Sequence, residues 1–481
     1  GFSLAKVAAD VYRQKPSVNG LILLNHGIFT FSETAKVAYG LMIEMATRAE
    51  KYLKKRKRKK FSIIKLPKYF VPIHEVAPIL RGLSCFKRHR LILEFRTSKK
   101  IRAFIGGKQS VRYANQGTAT PDHVIRTKHK PLIVPAPELG KLKKFEDGAA
   151  KAMRKYISDY HSYFLRNNKR YKGKKLELDP IPRMILVPGM GVFGLGKSSK
   201  AATIAADLLE TNISIITQVE AIGTYSVIRE EDIFDMEYWS LEQAKLGRIK
   251  EKYFARKIVV VTGAGSGIGA ATARAFAAEG AEVCLLDKDE AAIRLIALEI
   301  GGVGIKCDVT NYEEVENSFR KIVEIRGGVD ILVSNAGAAW QGKIGEVSNE
   351  IMRKSFELNF WGHQNVAQKA VQIMRAQKIG GCLLFNTSKQ AVNPGKEFGP
   401  YGLPKAATLL LMKQYALDYG DDGIRSNAVN ADRIRSGLLT NRMIKSRSKK
   451  RGLSEIDYMA GNLLNREVTA REVAEAFISL A

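Results

Sequence analysis

The chain has 481 residues, of which 45% are hydrophobic and 8% aromatic, and this composition is typical of a globular protein with two or three domains. Its four cysteines stand apart without a C-x-x-C pair, which argues against a disulfide framework and favours a reducing cytoplasm. No apolar run reaches the length of a membrane span, so we expect no membrane partner.

The formal net charge of +30 leaves a second function open, that of a basic module that binds nucleic acid or another polyanion. Its clearest local support is the run KKRKRKK at residues 54–60. Aromatic side chains that could stack on bases are not interleaved with these cations. We therefore interpret the run as a solvated helix end and do not expect a nucleic-acid partner.

The first part of the chain predicts helices over residues 2–14 and 32–53, with a buried strand over residues 20–24 between them. The second helix is expected to begin at the capping sequence Thr30-Phe-Ser-Glu33. Short strands follow, and residues 141–168 predict a long helix. The chain begins at Gly1, within what reads as a helix-strand unit, so further sequence is expected upstream.

The stretch VPGMGVFGLGKSS, residues 187–199, fits two phosphate-binding patterns, G-x-G-x-x-G and G-x-x-x-x-G-K-S. We predict a loop here, between a strand at 184–187 and a helix at 199–209, with a further strand at 213–217. A nucleotide kinase built on this loop is a third hypothesis. It is disfavoured because three residues separate the strand from Gly191 and because no aspartate follows residues 213–217. The glycines are expected to serve a tight turn and close packing.

From Lys257 onward, strands and helices alternate, which predicts a doubly wound parallel sheet. A β-branched strand runs into a glycine turn and then a helix, so backbone amides would face a pyrophosphate. The next strand ends at Asp287, whose carboxylate can hydrogen-bond ribose hydroxyls and would repel a 2′-phosphate. The pattern favours NAD over NADP as cofactor, and the residues of the turn are Thr262, Gly263, Gly265, Ser266, Gly267, Ile268 and Gly269.

These motifs and their spacing over residues 255–481 resemble the short-chain dehydrogenase/reductase family. The resemblance implies a Rossmann fold, a nicotinamide cofactor and further cofactor contacts at Asp308, Val309, Asn335, Ala336 and Gly337. It also implies a catalytic set made of Asn359, Ser388, Tyr401 and Lys405. Members of the family commonly assemble as dimers or tetramers, so a homo-oligomer is expected.

Hydride transfer at a carbinol carbon needs a proton moved at its oxygen, and a phenol is a poor base at neutral pH. Lys405, one helical turn from Tyr401, would favour the tyrosinate. By the resemblance, Lys405 also holds the nicotinamide ribose, and both Tyr401 and Lys405 contact the cofactor. Ser388 would hydrogen-bond the substrate oxygen, and Asn359 would hold a water in a proton relay. His363 lies outside this pattern and is interpreted as structural.

The chain departs from the family pattern in two places. After the strand near residues 424–429 the family has Pro-Gly, whereas this chain has Asn430-Ala-Asp-Arg433. The chain also stops at Ala481, where the family would add a last strand.

The amino-terminal segment LLNHGIFT, residues 23–30, resembles the end of the class II aldolase/adducin fold. The resemblance implies that His26 is a zinc ligand and that the metal would stabilise an enediolate. Two further ligands come from a His-x-His in that family, and none of the seven histidines of this chain lies in such a pair. Aldolase activity is therefore not expected from this chain alone, although Asp122 and His123 could join that site.

Together with the segments at residues 119–128, 235–245 and 430–436, the aldolase-like start and the dehydrogenase motifs resemble the bacterial bifunctional rhamnulose-1-phosphate aldolases fused to short-chain dehydrogenases. The resemblance implies oxidation or reduction of L-lactaldehyde in rhamnose catabolism. The fold class is predicted as α/β, with a carboxy-terminal Rossmann doubly wound sheet preceded by a partial aldolase-like α/β domain and a connecting α/β segment. The expected boundaries are residues 1–140, 141–255 and 256–481.

Overall fold

The computed structural model describes residues 2–23, 27–56, 62–120, 123–247 and 251–481. The histidine expected to bind zinc, His26, lies outside the described residues. So do residues 57–60 of the basic run and Asp122.

The amino-terminal segment is a helix, a hairpin and a second helix. Its elements are α1 (Phe2–Gln14), β1 (Gly20–Leu23), β2 (Gly27–Thr30) and α2 (Ala35–Lys55), with β1 and β2 antiparallel. The predicted start of the second helix is wrong because Thr30 ends β2, where it pairs with Gly20. Thr34 is the N-cap instead, and its side chain accepts a hydrogen bond from the amide of Val37.

A four-stranded sheet forms the centre of the next unit, with strand order β3-β6-β5-β4. Strand β6 runs antiparallel to both of its neighbours, β3 and β5, whereas β4 runs parallel to β5. Its elements are α3 (Ile73–Leu83), β3 (Ile92–Arg96), α4 (Lys99–Ile105), α5 (Ser110–Ala114), α6 (Val124–Thr127), β4 (Leu132–Ile133), α7 (Leu142–Asn168), β5 (Met184–Val187), β6 (Gly191–Gly196), α8 (Ser199–Ile222), α9 (Glu230–Glu237) and α10 (Ser240–Ala244).

Successive side chains of β5 enter two different cores, as the two-residue period of a strand requires. Ile185 and Val187 pack with the apolar face of α7, while Met184 and Leu186 pack with that of α8. Strands from both sides of residue 140 share this sheet. The domain boundaries at residues 140 and 255 stay predictions.

The stretch VPGMGVFGLGKSS is a hairpin rather than a loop, so that prediction is wrong. A turn with Gly189 at φ +83° leads from β5 into β6, which occupies residues 191–196. A Cβ atom on Gly194 would lie 2.4 Å from the carbonyl oxygen of Ala202. A Cβ atom on Gly196 would lie 2.2 Å from the amide nitrogen of Ala202. The glycines therefore let α8 lie directly against the strand, which agrees with the close packing expected of them.

The predicted strand at residues 213–217 is also wrong, because α8 continues unbroken to Ile222. Ile213 and Ile216 are buried three residues apart on one face of this helix. A short run rich in isoleucine has the local signature of a strand, and only packing against the sheet shows that it is helical. Residues 230–256, whose many charged side chains predict a helical linker, contain the short helices α9 and α10 in their described part.

The carboxy-terminal unit is a six-stranded, fully parallel sheet with strand order β12-β11-β10-β7-β8-β9, which confirms the predicted doubly wound Rossmann fold. Its elements are β7 (Ile258–Thr262), α11 (Gly267–Ala278), β8 (Glu282–Asp287), α12 (Glu290–Ile300), β9 (Val303–Lys306), α13 (Tyr312–Arg326), β10 (Ile331–Ser334), α14 (Asn349–Phe356), a π-helix (Glu357–Trp361), α15 (Gly362–Gln377), β11 (Gly381–Asn386), α16 (Gly399–Tyr419), β12 (Ile424–Val429), α17 (Asn441–Lys450), α18 (Glu455–Met459) and α19 (Ala470–Leu480).

The two units pack against each other, with α3 lying on α13 and α15. Ile92 of β3 and Ala202 of α8 belong to the same buried cluster as side chains of the six-stranded sheet and its helices. Within the parts of the chain that the structure describes, no helix is both long and apolar enough to cross a membrane.

Candidate active site

A cleft of about 980 Å³ lies over the carboxyl ends of the parallel strands, where the strand order reverses between β7 and β10. Thirteen of the seventeen residues predicted for the dehydrogenase site line it, and the other four do not. The lining residues are Gly263, Ser266, Gly267, Ile268, Asp287, Asp308, Val309, Asn335, Ala336, Gly337, Ser388, Tyr401 and Lys405. The four residues outside the lining are Thr262, Gly265, Gly269 and Asn359.

The glycine turn after β7 has a backbone that only glycine adopts without strain at two positions. Gly263 and Gly267 have φ values of +61° and +52°, in the left-handed region. Gly269 lies so close to the turn that a Cβ atom would be 2.0 Å from the carbonyl oxygen of Gly263. The turn can thus fold tightly and present the first amides of α11 to an anion in the cleft.

Thr262, which is buried, ties the ends of β7 and β10 together. Its hydroxyl oxygen accepts hydrogen bonds from the amides of Asn335 and Ala336, at 2.9 and 3.1 Å. In return, the side-chain amide of Asn335 donates to the carbonyl oxygens of Thr262 and Gly263, at 3.0 and 3.2 Å. These bonds fix the floor of the cleft at the switch point.

Asp287 ends β8 at the rim of the cleft. One carboxylate oxygen accepts from the amide of Gly265 at 2.9 Å, and the other accepts from the amide of Asp289 at 3.0 Å. Because each carboxylate oxygen can accept a second hydrogen bond, the group remains able to receive ribose hydroxyls. Its orientation toward the glycine turn is fixed by these two bonds.

Asp308 and Val309 form the neighbouring part of the rim after β9. A carboxylate oxygen of Asp308 accepts from the amide and the hydroxyl of Thr310, at 2.9 and 2.8 Å. The carbonyl oxygen of Val309 accepts from the side-chain amide of Asn365 at 3.0 Å. This turn is therefore anchored both to itself and to α15.

Tyr401 and Ser388 face each other from α16 and from the segment after β11. Tyr401 is buried, and this burial raises the pKa of its phenol, while a hydrogen bond with the Ser388 side chain opposes that rise. Ser388 is also held in place, since its hydroxyl oxygen accepts from the amide of Gln390 at 3.2 Å. The pair places a phenol and an alcohol together at the cleft wall, as the motif spacing predicts.

Lys405 lies one helical turn beyond Tyr401, with its ammonium nitrogen 5.9 Å from the centre of the phenol ring. It donates a hydrogen bond to the carbonyl oxygen of Asn386 at 2.9 Å. The side chain is almost fully buried, and burial lowers its pKa to about 7. Its charge is therefore sensitive to small changes in its surroundings near neutral pH.

Asn359 occupies the π-helix and is fully buried. Its side-chain nitrogen donates to the carbonyl oxygen of Ala338 at 2.8 Å and to the hydroxyl of Ser355 at 3.1 Å. Its backbone carbonyl oxygen accepts from the hydroxyl of Thr408 at 2.6 Å. That carbonyl oxygen keeps a second lone pair, which could accept a hydrogen bond from a water. The expected role of Asn359 in holding a water stays a prediction.

Sequence reasoning missed three side chains around Lys405. His363 was expected to be structural, yet its Nε2 lies 3.1 Å from the Lys405 ammonium, while its Nδ1 lies 2.6 Å from the hydroxyl of Ser334. Asn386 donates to the side-chain oxygen of Asn335 at 2.7 Å, and among the described residues its own buried side-chain oxygen has no hydrogen-bond partner. No local spacing links these residues, which come from β10, α15 and β11, so only the folded sheet brings them together.

The other end of the cleft combines aromatic and basic side chains. Trp340 and Phe398 line it, together with Tyr458 from the segment that follows β12. Arg447 lies over the ring of Phe398, and Arg451 lies over that of Tyr458. Residues 431–433, where the family has Pro-Gly, also line the cleft.

A metal centre is not found in the described part of the chain, where no three His, Cys, Asp or Glu side chains are grouped so as to hold an ion. His123 lies at the start of α6, and its amide donates to the carbonyl oxygen of Thr120. With His26 outside the described residues, the zinc hypothesis stays a prediction.

Two protein-family models match the chain. Residues 72–246 match the second domain of class II aldolases, and residues 263–481 match a model described as enoyl-(acyl carrier protein) reductase. The aldolase match covers the four-stranded sheet, and the reductase match covers the cleft.

Relatives of known sequence agree with this arrangement. The uncharacterized oxidoreductase YuxG of Bacillus subtilis is 30% identical over 453 residues, which are 91% of this chain and 65% of that protein. The chain thus spans a little less than two thirds of that relative. The short-chain dehydrogenase reductase ATA1 of Arabidopsis thaliana is 30% identical over 48% of this chain and 87% of its own length. A crystal structure of a short-chain type dehydrogenase/reductase from Mycobacterium marinum aligns at 27% identity and a TM-score of 0.44, over 47% of this chain and 89% of that one.

Proposed function

Because the chain belongs to the short-chain dehydrogenase/reductase family and carries a class II aldolase second domain ahead of that unit, we propose that its cleft oxidises or reduces a small hydroxy-aldehyde or alcohol with NAD. The favoured substrate is L-lactaldehyde, and the favoured setting is rhamnose catabolism. The observation that carries the proposal is the meeting of Ser388, Tyr401 and Lys405 at the cleft that the glycine turn and Asp287 border.

The residues of the cleft fit a dinucleotide. The glycine turn would receive the pyrophosphate, since the Cβ atoms that would crowd it are absent, and Asp287 would receive the adenosine ribose. The carboxylate would repel a 2′-phosphate, which supports NAD over NADP. A bound nicotinamide supplies a site that accepts or gives a hydride.

The chain's own side chains would handle the proton. The Tyr401 phenol would take the proton from the substrate hydroxyl, or return it in the opposite direction, and Ser388 would hold the substrate oxygen by a hydrogen bond. The positive charge of Lys405, whose ammonium nitrogen lies 5.9 Å from the centre of the phenol ring, would favour the ionised phenol. Asn359 would hold a water that connects Lys405 with solvent.

Zinc-dependent aldol cleavage is a separate part of the proposal. His26 would be one ligand, and a catalytic zinc needs three from protein. The 481 residues hold no His-x-His pair that could supply the other two, so we propose that this activity requires residues beyond those present here.

We also propose that the protein works in the cytoplasm as a homo-oligomer. Support for a reducing compartment comes from the four cysteines, none of which is paired in a disulfide. Support for assembly comes from α16, whose leucines at positions 403, 410 and 417 are exposed at a spacing of seven residues. Such an apolar stripe on one helix face suits contact with another copy.

The test is NADH formation, followed by absorbance, from L-lactaldehyde and NAD. Tyr401→Phe should lower kcat by about 10²- to 10⁴-fold, the range of a lost general acid or base. Tyr415→Phe is the matched control, because it removes a phenol on the same helix that bonds Gln364 rather than the cleft. Equal rates in the wild type and Tyr401→Phe would end the assignment.

A further inference from the structure

His363 has two polar contacts in a fully buried position between α15 and α16. Its Nε2 lies 3.1 Å from the ammonium nitrogen of Lys405, and its Nδ1 lies 2.6 Å from the hydroxyl of Ser334 at the end of β10. His363 as a whole has 1% of its surface exposed. Nothing in the mechanism above uses this ring.

The chemistry of the contacts fixes the charge and the tautomer of the ring. Burial and the neighbouring Lys405 charge hold the pKa of His363 well below its usual range, so the imidazole is neutral. The charged form of Lys405 is an ammonium group, which donates three hydrogen bonds and accepts none, so Nε2 is the acceptor whenever Lys405 is charged. The proton of the ring therefore sits on Nδ1, which donates to Ser334.

We propose, resting on the dehydrogenase function above, that His363 is a positioning residue for Lys405. Its Nε2 atom and the carbonyl oxygen of Asn386 each accept a hydrogen bond from the Lys405 ammonium group, so that the third N–H of that group faces the cleft. A lysine has four rotatable bonds along its stem, and one acceptor alone would leave its ammonium free to rotate. Two acceptors on different elements fix its position, and Ser334 fixes the acceptor.

The groups that face the Lys405 ammonium and fix its position are neutral. Tyr401 faces it from its own helix, His363 from α15 and the Asn386 carbonyl from β11. From the segment after β10, Gly337 leaves the approach open, since even a Cβ atom there would be only 3.4 Å from the ammonium nitrogen. In the described part of the chain, no carboxylate forms an ion pair with Lys405, so hydrogen bonds to neutral acceptors stabilise its charge.

Removing the imidazole acceptor should make the charged form of Lys405 less stable. The pKa of Lys405, already lowered by burial to about 7, would fall further. Because the ammonium is expected to bind ribose hydroxyls, NADH affinity should then be lost at lower pH than in the wild type. An acceptor of similar reach, such as the side-chain oxygen of glutamine, should restore it.

The experiment is a fluorescence titration of NADH at intervals from pH 5.5 to 9.5, using the full chain. His363→Leu should move the midpoint of affinity loss down by about one pH unit, which is about a tenfold change in the protonation equilibrium. His363→Gln should stay close to the wild type. Ser334→Ala should shift in the same direction as His363→Leu but less, because it frees the tautomer. Tyr415→Phe, which alters another bond between α15 and α16, should leave the midpoint unchanged.

A midpoint for His363→Leu that coincides with the wild type, in protein shown to be folded by its melting curve, would overturn the inference. If that variant does not fold, an unshifted Ser334→Ala would do so. Lys405→Met separates this failure from that of the proposed function. If Lys405→Met keeps the wild-type pH dependence of NADH affinity, Lys405 does not bind the cofactor and the proposed function fails. If Lys405→Met abolishes that pH dependence while His363→Leu leaves the midpoint unshifted, only the role of His363 fails.

Discussion

The guanidinium of Arg81 and the carboxylate of Asp330 form a fully buried, two-pronged ion pair between helix α3 and the start of β10. The Nη1–Oδ1 distance is 2.9 Å and the Nη2–Oδ2 distance is 2.6 Å. Arg90 also donates to this carboxylate, and so does the backbone amide of Ile258 at 2.7 Å. The pair therefore joins the aldolase-like unit to two central strands of the Rossmann sheet.

Replacing Arg81 by methionine should destabilise the protein strongly, because it leaves the Asp330 carboxylate buried with one cation fewer. Breaking a buried pair in this way costs about 3–5 kcal/mol of unfolding free energy. Urea unfolding followed by circular dichroism measures it. Arg274→Met is the control, since its pair with Glu299 is about half exposed and should contribute less than about 1 kcal/mol. Similar losses in both variants would contradict the structure.

The Asp330 pair should also make stability depend on pH in the acid range. Burial alone would raise the pKa of this carboxyl, but Arg81 and Arg90 with their hydrogen bonds hold it well below its usual range. A carboxyl with a lowered pKa in the folded state contributes stability above its unfolded pKa of about 3.9, and this contribution is lost as the pH falls below that value. The stability difference between wild type and Asp330→Asn should thus be large at pH 6 and shrink below about pH 4. A difference that stays constant from pH 6 to pH 3 would show that the carboxylate charge does not contribute.

Asp287→Ser should weaken the preference for NAD over NADP. The substitution removes the negative charge at the rim that would face a 2′-phosphate, while the neighbouring Lys288 remains. We expect the ratio of kcat/KM for NAD to that for NADP to fall by about tenfold or more, which corresponds to about 1.4 kcal/mol. Glu290→Ser, on the exposed first turn of α12, is the matched loss of an acid and should leave the ratio unchanged. An unaltered ratio in Asp287→Ser would remove the basis for assigning NAD.

Gly194→Val tests whether the glycines of β6 serve packing. Any side chain at this position meets the α8 backbone, since even a Cβ atom would lie 2.4 Å from the carbonyl oxygen of Ala202. We expect a loss of about 3 kcal/mol in unfolding free energy, the upper end for overpacking in a core, or failure to fold. Gly345→Val, in an exposed turn where a Cβ atom would meet nothing within 4 Å, is the control for the added side chain. ATP should not raise the melting temperature of the wild type, and a rise would revive the kinase hypothesis.

The parts of the site that sequence predicted are those whose signal is local. The glycine turn from residue 262 to 269, the acid that ends the next strand and the pair Tyr401 and Lys405 each lie within one element or at its end. Their spacing is dictated by helix and strand geometry, so it is visible before the chain is folded.

The parts that sequence reasoning missed depend on contacts between distant elements. His363 and Lys405 are separated by 42 positions and meet because α15 and α16 cover the same side of the sheet. The strand at residues 191–196 was hidden by its glycines, which are rare in strands and are needed here because α8 touches them. The isoleucines of α8 suggested a strand, but the segment is helical because one face of the helix is buried against the four-stranded sheet.

Because of the π-helix at residues 357–361, the geometry of the site depends on the number of residues between α14 and α15 as well as on their identity. Each residue advances a helix by about 100°, and the wider turn accommodates one residue more than a regular α-helix would. Loss of any one residue between α14 and α15 would restore a regular helix and turn Asn359 away from Ala338 and Ser355. Single substitutions on the exposed side of this turn can therefore be tolerated where a single deletion would not.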